Sequence, residues 1–189
     1  MAVLILGLVV FLGAHSFTTV REARASLIGR IGEGPYKGLY SLVSLVGFVL
    51  IVIGYGQYRA NGYVQVWDPP TGLRHLTLLL MWFAFVALVA AYSPGAIKTR
   101  LKHPMLVAVK IWALAHLLAN GDLGSMILFG AFLAWAVFDR IAVKRRPGAD
   151  PAGSLSFGRG DIVALVVGTI AYVAMISLHP LLIGVSVMG

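Results

Sequence analysis

The stretch GLYSLVSLVGFVLIVIGYG, residues 38–56, contains no charged side chain. As a helix it can cross the roughly 30 Å hydrocarbon core of a bilayer, which takes about 20 residues. The rest of the chain has the same character: 59% of its 189 residues are hydrophobic, only 12% are charged, and the mean hydropathy is +0.90. Soluble domains carry about twice this fraction of charged residues. The sequence therefore predicts an integral membrane protein.

Six segments of the chain are apolar enough to span a bilayer. They are roughly residues 2–19, 38–56, 75–94, 104–121, 123–139 and 161–185. Because these spans use most of the length, we expect one all-α transmembrane domain over residues 1–189, a polytopic bundle of about six helices with no soluble domain. The segment Val20 to Glu33 predicts a short interfacial helix, since its arginines and apolar residues separate onto different faces. Residues 144–160, rich in Pro, Gly and Ser, predict a linker.

The cations are unevenly divided among the connections between these spans. Twelve cations lie in the first, third and fifth connections, which we call the odd-numbered connections: Arg21, Arg24, Arg30, Lys37, Lys98, Arg100, Lys102, Arg140, Lys144, Arg145, Arg146 and Arg159. The second connection contains two, Arg59 and Arg74. Loops rich in Lys and Arg stay in the cytoplasm. We therefore expect both termini to be extracytoplasmic. The net charge of +8 is interpreted as topology and as attraction to the anionic headgroups of the lipid bilayer, not as nucleic-acid binding.

Polar side chains at membrane depth are the candidate site residues, because an ionisable group in hydrocarbon costs several kcal/mol without a partner. They are His15, His75, His103, Lys110, His116, Asn120 and His179. The chain has no cysteine, which excludes thiolate metal sites and covalent haem attachment through Cys-x-x-Cys-His. Imidazoles in a small helical protein fit ligation of haem iron or of another transition metal. The predicted cofactor is haem b, held without covalent bonds.

The fourth span, residues 104–121, is the richest in such groups. On a helix, His116 falls about 120° from Lys110, on a face with Trp112 and Asn120. Lys110 is too deep to reach water easily, so we expect it to pair with a carboxylate, to lose its proton, or to bind an anionic group such as a haem propionate. Depth along the helices favours His75 or His179 as the histidine that shares a metal with His116.

Several motifs in the chain resemble the NnrU family. They are GAHS at 13–16, LYS at 39–41, KHP at 102–104, WALAHLLANGD at 112–122 and WAVFDR at 135–140. The resemblance implies a protein of the bacterial inner membrane that is associated with denitrification, at the steps of nitrite and nitric oxide reduction.

The NnrU family is in turn similar to the plant 15-cis-zeta-carotene isomerase, a membrane protein that uses haem b. That likeness implies His15 and His116 as the two axial ligands of the iron. Lys110 and Asn120, chosen above as polar groups at membrane depth, are the further candidate cofactor-binding residues. Ala113 stands where the plant enzyme has a cysteine, so redox ligand switching through that thiol is excluded. Lys102 replaces the arginine usual in the family, which removes a bidentate donor.

Other functions stay open at this point. The resemblance also permits a haem-dependent cis–trans isomerase of a polyene lipid, with Trp82, Phe83 and Phe85 lining an apolar groove. The Lys-His-Pro element is similar to one in membrane methyltransferases, but Met105 to Ile111 contains no glycine for a cofactor loop. An assembly role with purely structural histidines is a further alternative. Whether the protein is an enzyme, and whether it binds a nitrogen oxide or a polyene, is not decided by the sequence.

The cation asymmetry makes a testable prediction about topology. A reporter that is active only in the cytoplasm, fused after Gly189, should stay silent, because twelve cations hold the odd-numbered connections inside. The same reporter inserted within residues 144–160 should be active. Robust activity of the C-terminal fusion would overturn the assigned orientation.

Overall fold

The structure is a computed structural model and describes residues 1–145, 153 and 155–187. Over these residues the chain is helical apart from short connections. The helices are α1 Ala2–Phe17, α2 Arg21–Ile31, α3 Glu33–Ala60, α4 Thr71–Ala90, α5 Ala96–Leu101, α6 Pro104–Ala119, α7 Leu123–Lys144 and α8 Arg159–Ile183. The predicted all-α membrane fold is confirmed.

The helices differ in their capacity to cross a bilayer. Four of those described, α3, α4, α7 and α8, are long and apolar enough to do so. Helices α1 and α6 have 16 residues each, about 24 Å of helix, which is shorter than a hydrocarbon core of about 30 Å. Helix α1 passes the test only together with α2, from which it is bent by 87°. The described residues thus contain four or five candidate spans, and the predicted count of six is not confirmed.

Two predicted connections take definite form. A helix over Val20 to Glu33 is confirmed as α2, none of whose residues is buried. The guanidinium of Arg24 on α2 lies 5.5 Å from the ring centroid of Tyr36 on α3. The predicted linker is shorter than expected, because α7 continues to Lys144 and α8 begins at Arg159. Its residues 146–152 and 154 lie outside the described part of the chain.

The chain divides into two units, which are described separately. Unit 1 comprises Met1–Pro69 and Asn120–Val143, and therefore helices α1, α2, α3 and α7. Unit 2 comprises Pro70–Ala119 and Lys144–Gly189, and therefore α4, α5, α6 and α8. Each candidate site residue can accordingly be assigned to one unit.

Within unit 1, glycines bring the backbones of α1 and α3 into direct contact. A Cβ atom added to Gly47 would lie 2.7 Å from the backbone nitrogen of Phe11, and one added to Gly7 would lie 2.5 Å from that of Ile51. At Gly54 the same atom would overlap the backbone of Leu4. Small residues that allow close backbone approach are typical of helix pairs in lipid, where apolar burial offers little driving force.

Helix α7 joins unit 1 through side chains and through the loop before it. The hydroxyls of Tyr55 and Ser125 lie 2.7 Å apart, which links α3 to α7. The Gly121 carbonyl accepts hydrogen bonds from the amides of Val66 and Trp67 at 2.8 and 3.1 Å. The loop after α3 is thereby fixed beside the start of α7.

In unit 2, α4 packs against both α6 and α8. The Thr77 hydroxyl donates to the Ala115 carbonyl at 2.9 Å, which ties α4 to α6. The indole N–H of Trp82 donates to the Thr169 hydroxyl at 3.0 Å, which ties α4 to α8. Phe85 lies against Tyr172 with ring centroids 6.2 Å apart. Trp82 and Phe85 therefore take part in packing between helices, while Phe83 is largely exposed.

A buried carboxylate fixes the other end of unit 2. Asp161, at the start of α8, is only 1% exposed. Its oxygens accept hydrogen bonds from the amides of Ile97, Ala96 and Gly158 at 2.7, 3.0 and 2.9 Å. Amides at the start of a helix have no partner within it, so this side chain caps both α5 and α8. A Cβ atom added to Gly95 would lie 2.6 Å from Asp161 Oδ1. The close approach of the Asp161 carboxylate to the start of α5 therefore requires glycine at position 95.

The contact between α1 and α3 generates a matched pair of substitutions. Gly54→Ala places a methyl group against the backbone of Leu4, whereas Gly56→Ala, two residues further along the same helix, meets no heavy atom within 4 Å. We expect Gly54→Ala to destabilise the protein by about 1–3 kcal/mol, the usual cost of overpacking. Gly56→Ala should be neutral or stabilising, because alanine is the better helix former. Thermal unfolding in detergent measures both, and equal midpoints for the two variants would contradict the close approach.

Candidate functional site

The first candidate ligand, His15, lies near the end of α1 in unit 1. Its ring nitrogen Nδ1 lies 2.7 Å from the carbonyl oxygen of Phe11, one helical turn earlier. The imidazole also stacks on the Phe11 ring, with centroids 4.2 Å apart and planes inclined by 27°. A carbonyl can only accept, so Nδ1 carries the proton. The tautomer is thereby fixed, and a metal would be bound through Nε2.

Aromatic side chains from two other helices surround His15. The Tyr40 ring of α3 lies 5.4 Å from the imidazole, and the Trp135 ring of α7 lies 5.7 Å from it, nearly perpendicular at 89°. Together with Phe11 they form what we call the His15 cluster, made of Phe11, His15, Tyr40 and Trp135. Three helices of unit 1 thus determine the orientation of one imidazole.

The second candidate ligand, His116, lies near the end of α6 in unit 2. Its Nδ1 lies 2.8 Å from the carbonyl oxygen of Trp112, again one turn earlier. The Trp112 ring lies 5.5 Å from the imidazole, so the predicted shared face of the two residues is confirmed. The bond from Thr77 to the Ala115 carbonyl holds the helix immediately beside His116. The tautomer of His116 is therefore fixed, and the α6 backbone beside it is hydrogen-bonded to α4.

The two histidines share a local design that the sequence contains but that spacing alone did not single out. Each follows an aromatic residue by four positions, Phe11 before His15 and Trp112 before His116. In each pair the aromatic residue's carbonyl accepts from Nδ1 while its ring flanks the imidazole. Histidines that ligate metals commonly donate their other N–H to a carbonyl or carboxylate, which sets the orientation of the ring.

The alternative partners of His116 differ from each other. His179, also in unit 2, is near enough to interact electrostatically with His116, and its Nδ1 lies 2.8 Å from the Val185 carbonyl oxygen. His75 lies exposed near the start of α4. His75 and His179 both stay predictions as alternative partners of His116.

The remaining candidates, Lys110 and Asn120, are both half-buried. Lys110 lies in the middle of α6, and among the described residues it has no carboxylate partner; the ion pair found there joins Lys37 to Glu33 at 2.8 Å. The expected pairing of Lys110 with a protein carboxylate is therefore not found in this part of the chain. Binding of an anionic group by Lys110 stays a prediction. Asn120 directly follows the last residue of α6 and belongs to unit 1.

A metal held by protein side chains alone would need a larger set of ligands than these. Within the described residues, no group of three or more His, Cys, Asp or Glu side chains is placed to hold a metal ion. Haem differs in this respect, because the porphyrin supplies four nitrogens and the protein supplies only the axial ligands. One or two oriented histidines meet that smaller requirement.

The chain matches a known protein family. No curated protein and no solved structure matches the chain. The family described as NnrU protein matches residues 3–187, nearly the whole sequence. The match includes every candidate ligand named above, and it confirms the resemblance seen in the motifs. This multi-pass membrane protein therefore belongs to the NnrU family.

Proposed function

We propose that this protein is a haem b protein of the bacterial inner membrane, in which His116 and His15 would hold the haem. It serves respiratory nitrogen-oxide reduction, at the nitrite and nitric oxide steps. The association with denitrification rests on membership of the NnrU family. The haem assignment rests on one structural observation, the hydrogen bond from Nδ1 of each histidine to the carbonyl four residues earlier.

This hydrogen bond supports haem ligation because of where it occurs. An imidazole among apolar residues loses the water that would otherwise bind both nitrogens, and each unmet group costs about 1–3 kcal/mol. The backbone satisfies Nδ1 and prevents that nitrogen from binding metal. The same bond makes the ring a better electron donor and holds its plane, as partners of metal-bound histidines commonly do.

The chain's own residues would bind, orient and shield the cofactor. Phe11 and Trp112 fix the two imidazoles, while Tyr40 and Trp135 cover the sides of His15. Apolar and aromatic surroundings limit access of water and thereby influence the reduction potential. When bound, haem b supplies one-electron redox chemistry and a site for diatomic ligands such as nitric oxide. Without a cysteine, the protein must hold it non-covalently.

The polyene isomerase stays a prediction with less structural support. Two of the three aromatic residues expected to line a groove, Trp82 and Phe85, are engaged in packing between α4 and α8. An orienting hydrogen bond at a histidine serves redox and isomerisation equally. We therefore retain the nitrogen-oxide role, which the family association favours.

A set of histidine variants tests the haem assignment. His116→Ala should lose most bound haem, at least about tenfold in occupancy, because an axial bond and its oriented ligand are removed together. His15→Ala should lose or weaken binding, whereas His103→Ala, at the start of α6, should retain it. The measurement is the reduced-minus-oxidised absorption spectrum per mole of purified protein, with circular dichroism as the control for folding.

The same series identifies the opposite ligand. If His179→Ala loses haem and His15→Ala keeps it, the second ligand is His179, which lies in unit 2 with His116 and His75. A wild-type protein that is well folded and contains no iron, even after incubation with hemin, would contradict the haem assignment altogether.

A further inference from the structure

Two buried hydrogen-bond donors near His15 lack a partner. Trp135 Nε1 and the Tyr36 hydroxyl are both inaccessible, and within the described residues neither forms a hydrogen bond. Tyr36 as a whole is only 6% exposed. Buried polar groups in folded proteins are nearly always hydrogen-bonded. The two groups therefore indicate an acceptor that the chain does not provide.

The surroundings of these donors show what kind of acceptor would fit. Trp135 belongs to the His15 cluster, and Tyr36 is connected to it through Tyr40, whose ring centroid lies 6.5 Å from that of Tyr36. The indole N–H can only donate, and a phenol donates readily to an anion. The Arg24 guanidinium lies 5.5 Å from the centroid of the Tyr36 ring and adds a positive charge beside that ring. Donors and a cation together favour an oxyanion.

A carboxylate of the chain is close by but does not serve these donors. Asp139, one helical turn after Trp135, acts electrostatically on Tyr40. It accepts a hydrogen bond from neither Trp135 Nε1 nor the Tyr36 hydroxyl. The donors are therefore left for a group that arrives with a ligand.

We infer that Trp135 and Tyr36 bind the carboxylates of the haem that His15 ligates. This inference rests on the proposed function, since haem b is an apolar molecule whose two propionates are its anionic groups. A haem buried in the protein needs donors for those carboxylates, as the buried indole and phenol need acceptors. Trp135 and Tyr36 would thus act as positioning residues that orient the bound haem through its propionates.

Binding of haem and of its dimethyl ester, in which both propionates are neutral, tests this assignment. The wild-type protein, purified and freed of haem, should bind the ester about tenfold to a hundredfold more weakly than haem, the usual loss for hydrogen bonds to a charged group. Trp135→Phe should bind haem more weakly by a similar factor and should discriminate less between the two compounds. Tyr36→Phe is the second variant, and it removes only a hydroxyl.

The control for this experiment is Trp82→Phe, which removes an indole N–H that Thr169 already satisfies within unit 2. It should leave the ratio of the two affinities unchanged. A second readout is the propionate bending region of the resonance Raman spectrum, which should change in Trp135→Phe and not in Trp82→Phe.

The outcomes separate this inference from the proposed function. If wild-type protein binds neither compound, both fail. If it binds haem and the ester equally well, or if Trp135→Phe and Tyr36→Phe both preserve the wild-type ratio, only the assignment of the propionate donors is overturned.

Discussion

The hydrogen bond between a histidine Nδ1 and the backbone carbonyl four residues earlier is the interaction on which the candidate site depends. In an α-helix that carbonyl normally accepts the amide of the same histidine, and its second lone pair is available to the ring. In hydrocarbon this arrangement satisfies a polar group without a second helix. His15 and His116 both use it, at 2.7 and 2.8 Å. Each imidazole is thus held by a hydrogen bond within its own helix, and the rings around it complete its orientation.

Packing between helices then places other groups around the oriented rings. Gly7, Gly47 and Gly54 allow α1 and α3 to touch along their backbones, which brings Tyr40 to the side of His15. Helix α7 is held less closely, by side chains such as Tyr55 and Ser125. The backbone contact between α1 and α3 thus positions Tyr40 in the His15 cluster, while α7 contributes the side chain of Trp135.

In unit 2, hydrogen bonds from polar side chains hold the helices together. Thr77 ties α4 to α6 beside His116, while Trp82 and Asp161 tie α8 to its neighbours. Each bond is buried or half-buried, where water competes little and a hydrogen bond is stronger than at a surface. The polar residues of this unit are therefore divided between those that hold helices together and those that remain candidates for a ligand.

The sequence allowed the fold class to be predicted, because charge-free runs such as residues 38–56 have few alternatives to a membrane helix. The helix after Val20 and the shared face of Trp112 and His116 could be predicted from helical periodicity. The capping role of Asp161 could not, since it depends on residues more than sixty positions away meeting in space. The predicted count of six spans is not confirmed, and hydropathy alone did not show that α1 ends at Phe17 and bends by 87° into α2.

The candidate ligands could be predicted from the sequence, but the residues around them could not. Rare imidazoles among apolar residues are conspicuous, and His15 and His116 could be chosen on that basis. The residues around them could not be chosen in this way. In the sequence Trp135 and Tyr36 are ordinary aromatic residues, and only the structure shows that their polar atoms are buried without partners. An aromatic residue four positions before each histidine was a signal that could have been used.

The most direct measurement is hyperfine spectroscopy on the ferric protein labelled with ¹⁵N at one histidine nitrogen at a time. Because Nδ1 of His15 and of His116 is held by a carbonyl, iron should bind Nε2. Strong coupling to the iron is therefore expected from protein labelled at Nε2 and not from protein labelled at Nδ1. Strong coupling from Nδ1, or from neither nitrogen, would contradict the proposed ligation.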